Sequence, residues 1–135
     1  MKVGQLSHEK AINFIFGGKA FVTFQNPTTG NRFTYRVTKH KTDDIFFVSV
    51  LTNPDTYQFI GSIKNFVFKY SKKSNISFDS RSVIVFDYVL NHLGMGTLNS
   101  SIEIFHDGKC GKCGKQLTDP ISVESGLGPK CRKAS

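Results

Sequence analysis

The chain is predicted to be an α+β protein, with a mostly antiparallel β-sheet, a covering helix and a small cysteine module appended at its C-terminal end. Three observations predict this. Strand-like segments between residues 20 and 70, one of them strictly alternating at Arg32 to Thr38, are separated by turn sequences. Ser80 to Leu93 carries apolar residues at helical spacing. Residues 106–135 hold all three cysteines. The predicted division is an α+β domain over 1–105 and the appendage over 106–135.

The elements follow in order. Ser7 to Phe16 reads as a short helix, with Ser7 as N-cap, Ala11, Phe14 and Ile15 on one face, and Gly17-Gly18 as its end. Ala20 to Gln25 and Arg32 to Thr38 read as strands joined through Asn26-Pro27-Thr28-Thr29-Gly30-Asn31. In the second of them Phe33, Tyr35 and Val37 face the core, while Arg32, Thr34, Arg36 and Thr38 make a wet, basic face. The apolar run Ile45 to Leu51 reads as a central strand. Tyr57 to Ile63 and Asn65 to Tyr70 follow, with a bulge expected at Gly61. The long helix has Asp79 or Ser80 as cap and Gly94 or Gly96 as stop. Val83, Phe86, Val89, Leu90 and Leu93 lie on its inner face, widened by Val85 and Tyr88. Ser101 to Phe105 is a last short strand.

Thirteen Phe and no Trp make Phe the main filler of the core. The net charge is +8, which favours polyanionic partners, either nucleic acid or an acidic protein, and excludes an acidic mimic of DNA. No apolar run approaches a membrane span. Met1 to Lys10 is polar, with no apolar core after it, so no signal peptide is expected and the reducing cytoplasm of a bacterial host is the expected location. An odd number of cysteines fits a disulfide framework poorly.

The strongest chemical signal is Cys110-Gly-Lys-Cys113-Gly, followed by Cys131 in Gly126-Leu-Gly-Pro-Lys-Cys. Two cysteines two residues apart, flanked by glycine, make a knuckle that can turn both thiolates onto one ion. Pro129 suits a first helical turn, which puts Cys131 near a helix start. Knuckle, hairpin and then a ligand at a helix start is the layout of a treble-clef-like zinc finger, so Zn²⁺ is the expected cofactor and Cys110, Cys113 and Cys131 its ligands. Structural zinc takes four ligands. His106, four residues before Cys110, is the first candidate for the fourth; Asp107, His92 or a water are the alternatives. A redox pair is disfavoured, because no βαβ setting surrounds the motif. A zinc deaminase would need a Glu two residues after a ligand His and a Pro before the cysteine pair, and neither is present.

The stretch Cys110 to Cys131 resembles a C-terminal motif of a family of largely uncharacterised phage-encoded proteins. These read Cys-Gly-Arg-Cys-Gly-Arg-x-Leu-Thr-x-Pro-x-Ser and then Gly-x-Gly-Pro-x-Cys. Gly17-Gly18-Lys19-Ala20, Arg32 to Val37 and Phe47 to Thr52 are similar to the same family. The resemblance implies a phage or mobile-element origin and a metal finger, and no settled activity. Lys112 and Lys115 stand where the family has Arg, which keeps the charge and loses bidentate contacts.

The remaining basic residues cluster. Arg32, Arg36 and His40 share a strand face beside Lys39, and Lys69, Lys72 and Lys73 lie around the last hairpin. With Lys112 and Lys115 they make the candidate nucleic-acid-binding set. Interleaved aromatics (Tyr35, Tyr57, Phe66, Phe68, Tyr70) would stack single-stranded bases. Candidate acids and bases are scattered, so no enzyme is expected. The leading expectation is a non-enzymatic nucleic-acid-binding accessory protein of a phage or mobile element. The alternative is a phage protein that binds and inhibits a host factor or a host defence system.

Overall fold

The computed structural model describes residues 2–134. In chain order the elements are β1 (Gln5–Leu6), α1 (His8–Ile15), β2 (Lys19–Gln25), β3 (Arg32–Lys39), β4 (Ile45–Asn53), β5 (Thr56–Lys64), β6 (Val67–Tyr70), α2 (Arg81–Met95), β7 (Glu103–His106), α3 (Pro120–Ser125) and α4 (Pro129–Ala134). The strands among the described residues form one sheet in the order β1-β7-β2-β3-β4-β5-β6. Every neighbouring pair is antiparallel.

Local chemistry sets the elements. Ser7 has extended backbone, and its hydroxyl accepts the Lys10 N–H, capping α1. Ser80 takes the cap position of α2 by its backbone alone, and Gly96, at φ 71°, closes that helix in the left-handed conformation a glycine adopts freely. The β2–β3 turn is held by the Asn26 N–H donating to the Asn31 carbonyl and the Gly30 N–H donating to the Asn26 carbonyl.

Strand alternation then separates two faces. Val22, Tyr35, Val37, Val48, Ile60 and Ile104 are completely buried in one core with Phe14 and Ile15 of α1 and Phe86 and Leu90 of α2. Both long helices therefore cover the same face of the sheet. The Tyr35 hydroxyl donates to the Ser82 carbonyl at 2.6 Å, tying the sheet to the first turn of α2. Burial pushes its phenol pKa well above the usual range.

Several local expectations need correction. Asn65 and Phe66 are not strand: they are the two central residues of a tight turn at φ 52° and 67°, with Lys64 paired to Val67. A two-residue hairpin of type I′ has positive φ at both central positions, and here the Phe66 ring packs on Phe16 at 4.6 Å. The bulge falls at Ile60, since Val48 pairs with Gly61 and Ser49 with Phe59. Gly61 itself serves a close approach, because a Cβ there would lie 2.2 Å from the Lys69 carbonyl oxygen. The last strand of the sheet is Glu103–His106, two residues later at its start than expected, and its partner β1 was not foreseen. Tyr88 is exposed rather than part of the inner helix face.

Candidate metal centre and nucleic-acid interface

The cysteine module begins as a small hairpin. The Leu117 N–H donates to the Gly108 carbonyl and the Cys110 N–H to the Lys115 carbonyl, with Lys109 bridged to Gln116. The Gly114 N–H returns to the Cys110 carbonyl, and Gly114 takes φ 79° to close the knuckle. The chain then runs through α3, capped by the Asp119 carboxylate on the Ser122 N–H, and turns at Gly126 into α4. Arg132 of α4 donates to the Ser122 hydroxyl and the Leu127 carbonyl, which locks the two short helices together.

This path brings the Sγ atoms of Cys110, Cys113 and Cys131 within 4.8 Å of one another. Three thiolates on one tetrahedral ion, at about 2.3 Å each, sit about 3.8 Å apart, so the cluster fits a metal ion with little adjustment. Cys110 is buried, Cys131 half-buried and Cys113 exposed. Leu117 and Leu127 pack around Cys110, with Val123 and Cys131 against them. Burial pushes the Cys110 thiol up, but N–H groups of Gly128, Cys113 and Lys112 and the Cys113 side chain aim at its sulfur and bring its pKa down to about 6. Cys131 goes the other way: burial first, then the neighbouring Cys110 and Cys113, push it up to about 11. Three crowded sulfur atoms, with N–H groups aimed at that of Cys110, are a favourable setting for a cation.

The module rests on the body through glycines. The Gly111 N–H donates to the Gly126 carbonyl, and the Lys19 N–H donates to the Gly111 carbonyl at 2.7 Å. A Cβ on Gly111 would lie 2.7 Å from the Phe14 ring, and one on Gly126 would lie 2.6 Å from it. Phe14, fully buried, is thus seated between the knuckle and the turn before α4. The glycines next to the cysteines serve packing as well as turning.

His106 is not brought to the cysteine cluster, which corrects the expected fourth ligand. It is the last residue of β7 and only 8% exposed. Its Nε2 donates to the Val123 carbonyl at 2.5 Å, and its Nδ1 accepts the Gly108 N–H at 2.9 Å. Both ring nitrogens are committed to docking α3 and starting the hairpin. The alternative His92 lies near the end of α2, bonded to the Thr97 hydroxyl. Asp107 accepts the Lys109 N–H. Among the described residues the group that could hold a metal ion is the three cysteines.

The sheet face opposite the long helices carries Arg32, Arg36 and Lys69 of the expected basic set. Register places Phe21, Arg36, Ser49 and Phe59 side by side across β2 to β5, and Phe47, Ser62 and Lys69 across β4 to β6. The Arg36 guanidinium lies over the Tyr57 ring at 5.1 Å, Arg32 over Phe105 at 5.7 Å and the Lys109 ammonium over Phe21 at 5.9 Å. Tyr57 also contacts Phe21, at 5.6 Å, from three strands away. Its hydroxyl pKa is raised by burial first and then by Asp107, and Arg36 opposes both. Lys72, Lys73 and Lys115 are exposed, the first two in the loop after β6. Lys39 and Lys112 lie elsewhere, both lining a cleft at the end of α1.

The aromatic set expected from sequence is largely displaced. Tyr35 and Phe68 are buried in the core, Phe66 is in a turn, and the Tyr70 hydroxyl donates to the Ile76 carbonyl. On the helix-free face the rings are exposed Phe47 and half-buried Phe21, Phe59 and Phe105, with Tyr57 alone kept from the expected set. Period-two alternation within β2, β4, β5 and β7 would have found these rings, had the core side of each strand been known. Among the described residues no helix is long and apolar enough to cross a membrane.

Residues 104–134 match a family of unknown function, DUF6011. The matched segment runs from β7 through α4 and contains all three cysteines. Neither the curated proteins nor the solved structures contain a significant match to the chain.

Proposed function

We propose that this is a non-enzymatic nucleic-acid-binding accessory protein of phage or mobile-element type, which takes single strands across the helix-free face of its sheet. The observation that carries the reading is the layer of cations seated on aromatic rings: Arg32 on Phe105, Arg36 on Tyr57 and Lys109 on Phe21. Cations attract phosphates and aromatic faces stack bases, the two contacts that sequence-tolerant single-strand binding needs. The overall charge of +8 supports the same partner. The phage setting rests on the resemblance of the C-terminal motif.

In this reading the ion is Zn²⁺ and its role is structural. All-thiolate ligation suits zinc, and N–H groups aimed at the Cys110 sulfur stabilise a thiolate ligand. Knuckle, hairpin and then Cys131 in a short helix follow the treble-clef-like layout. Zinc supplies a cross-link there. Cys110, Cys113 and Cys131 would hold it, and a water or a ligand outside this set completes four-coordination. Lys109 belongs to the same hairpin and reaches Phe21, so the metal module supplies one cation to the binding face.

The test is binding of labelled single-stranded DNA, duplex DNA and RNA across a salt series. Tight single-strand binding with a steep salt slope is expected. Arg32→Gln and Arg36→Gln should each lower that slope by about 1 and weaken all sequences alike. Negligible affinity for all three at low salt defeats the reading, and the basic face would then be assigned to an acidic protein surface of a host factor.

A further inference from the structure

A second surface, apart from the open sheet face, carries its own chemistry. A cleft of about 630 Å³ opens at the C-terminal end of α1, between β3, the β5–β6 turn and the knuckle. That volume suits a small organic ligand. Its wall holds three phenylalanines. Phe16 meets Phe46 edge-on at 5.1 Å and Phe66 at 4.6 Å. Lys39 and Lys112 stand on its rim with one acid, Asp44. The cleft therefore has an aromatic floor and a cationic edge.

Phe66 is the unusual member. Apart from glycines, only it and Asn65 have positive φ among the described residues. A bulky side chain in that region is disfavoured, and such conformations gather at functional sites. Phe66 is nevertheless 39% exposed, so it is not a core residue. It is also held: a Cβ on Gly94 of α2 would lie 2.9 Å from its edge. An aromatic ring fixed by Gly94 and Phe16, with part of its surface open to a cleft, is a stacking platform.

We propose that this cleft binds one nucleotide, with the base stacked on Phe66, Asn65 placed to hydrogen-bond the base edge, and the phosphate held between Lys39 and Lys112. Planar aromatic faces are what a base takes, and two ammonium groups at the rim are what a phosphate takes. The proposal rests on the nucleic-acid reading for its ligand class, but it uses different residues, so the two can fail separately. The nucleotide can be a free mononucleotide or the phosphorylated end of a strand.

The experiment is an NMR titration of the metal-loaded full chain with adenosine monophosphate, adenosine and inorganic phosphate. Adenosine monophosphate should shift the Phe66, Lys39 and Lys112 resonances and bind about tenfold more tightly than adenosine or phosphate. Phe66→Leu should weaken it about tenfold. The double variant Lys39→Gln with Lys112→Gln should reduce it to the affinity of adenosine. Arg36→Gln should leave it unchanged while weakening long single strands. A single-stranded oligonucleotide that gains affinity from a terminal phosphate identifies the strand end as the source, and equal affinity with and without it identifies the free nucleotide. Adenosine monophosphate binding no tighter than phosphate, or shifting resonances elsewhere only, overturns the proposal. So does unchanged affinity in the double lysine variant, which alters exposed positions and keeps the test valid if Phe66→Leu does not fold.

Discussion

Gly111→Ala tests whether the cysteine module is held to the body by close packing. The backbone at Gly111 is not at positive φ, so the added methyl meets no conformational penalty of its own. It meets atoms instead. The new Cβ would lie 2.7 Å and 2.9 Å from two ring carbons of Phe14 and 2.8 Å from the Phe14 carbonyl oxygen. The ring is fully buried and the carbonyl belongs to the last turn of α1, so neither can retreat far. Overpacking of this kind destabilises by about 1–3 kcal/mol. Shifting the knuckle to relieve it would stretch the Lys19 and Gly126 hydrogen bonds on either side, each worth about 1 kcal/mol. The expected net effect is about 2 kcal/mol, roughly a 6–10 °C fall in melting temperature for a chain of this size. Urea unfolding followed by circular dichroism, with metal present, measures it. Adding Phe14→Leu to Gly111→Ala should recover part of the loss, a non-additivity expected of residues in contact. Gly30→Ala is the comparison: φ is 76° there and no atom lies within 4 Å, so its penalty is conformational only and about 1 kcal/mol. If Gly111→Ala changes stability by less than about 0.5 kcal/mol, or if the double variant is strictly additive, the packing argument is wrong.

Other consequences are open to measurement. His106→Gln should lower stability by about 1–3 kcal/mol, since the Val123 carbonyl and the Gly108 N–H lose well-placed partners, while native mass spectrometry should show the same bound metal; loss of the ion would restore His106 as a ligand. In the metal-free, reduced protein Cys110 has a lowered pKa when folded. Its stabilising contribution is therefore full above the pKa of an unfolded thiol and is lost as pH falls towards about 6. Cys131 has the opposite sign, and its contribution fades as pH rises towards about 11. Urea midpoints should rise from pH 6 to 8, and Cys110→Ser should flatten that rise. Tyr35→Phe removes the donor to the Ser82 carbonyl and should cost about 1 kcal/mol by the same unfolding assay, with the core otherwise intact. Chelating the metal should weaken single-strand binding as well as stability, because Lys109 sits on the hairpin that the ion closes; unchanged binding would separate the module from the open face.

Legibility in the sequence followed interaction range. Ser7, Gly96 and the spacing of Val83, Phe86, Leu90 and Leu93 act within a few residues, and the helices lie where those signals put them. Arg32 to Thr38 alternates strictly, and β3 buries Tyr35 and Val37 as that pattern requires. The apolar run of β4 was different. Continuous hydrophobicity hides which side is inward, so Phe47 on the open face and Phe46 in the core look alike in sequence. The turn at Asn65-Phe66 was hidden for another reason: its conformation is one that Phe disfavours, and the surroundings of the Phe66 ring, Phe16 and Gly94, come from distant parts of the chain.

Cysteine spacing by itself determined that three thiols could converge, because a knuckle is a local turn and its glycines are local needs. Composition likewise determined the basic character of the protein, and apolar periodicity the helices and strands of the body. Only the tertiary structure decided what surrounds those thiols. His106 stands four residues from Cys110, yet its ring is bonded to the Val123 carbonyl and the Gly108 N–H and does not join the cysteine group. Phe14 and Gly111 are almost a hundred residues apart in the chain and in contact in the fold. Short-range rules such as capping, turn geometry and alternation are written residue by residue. Which two buried surfaces meet depends on the packing of the whole chain.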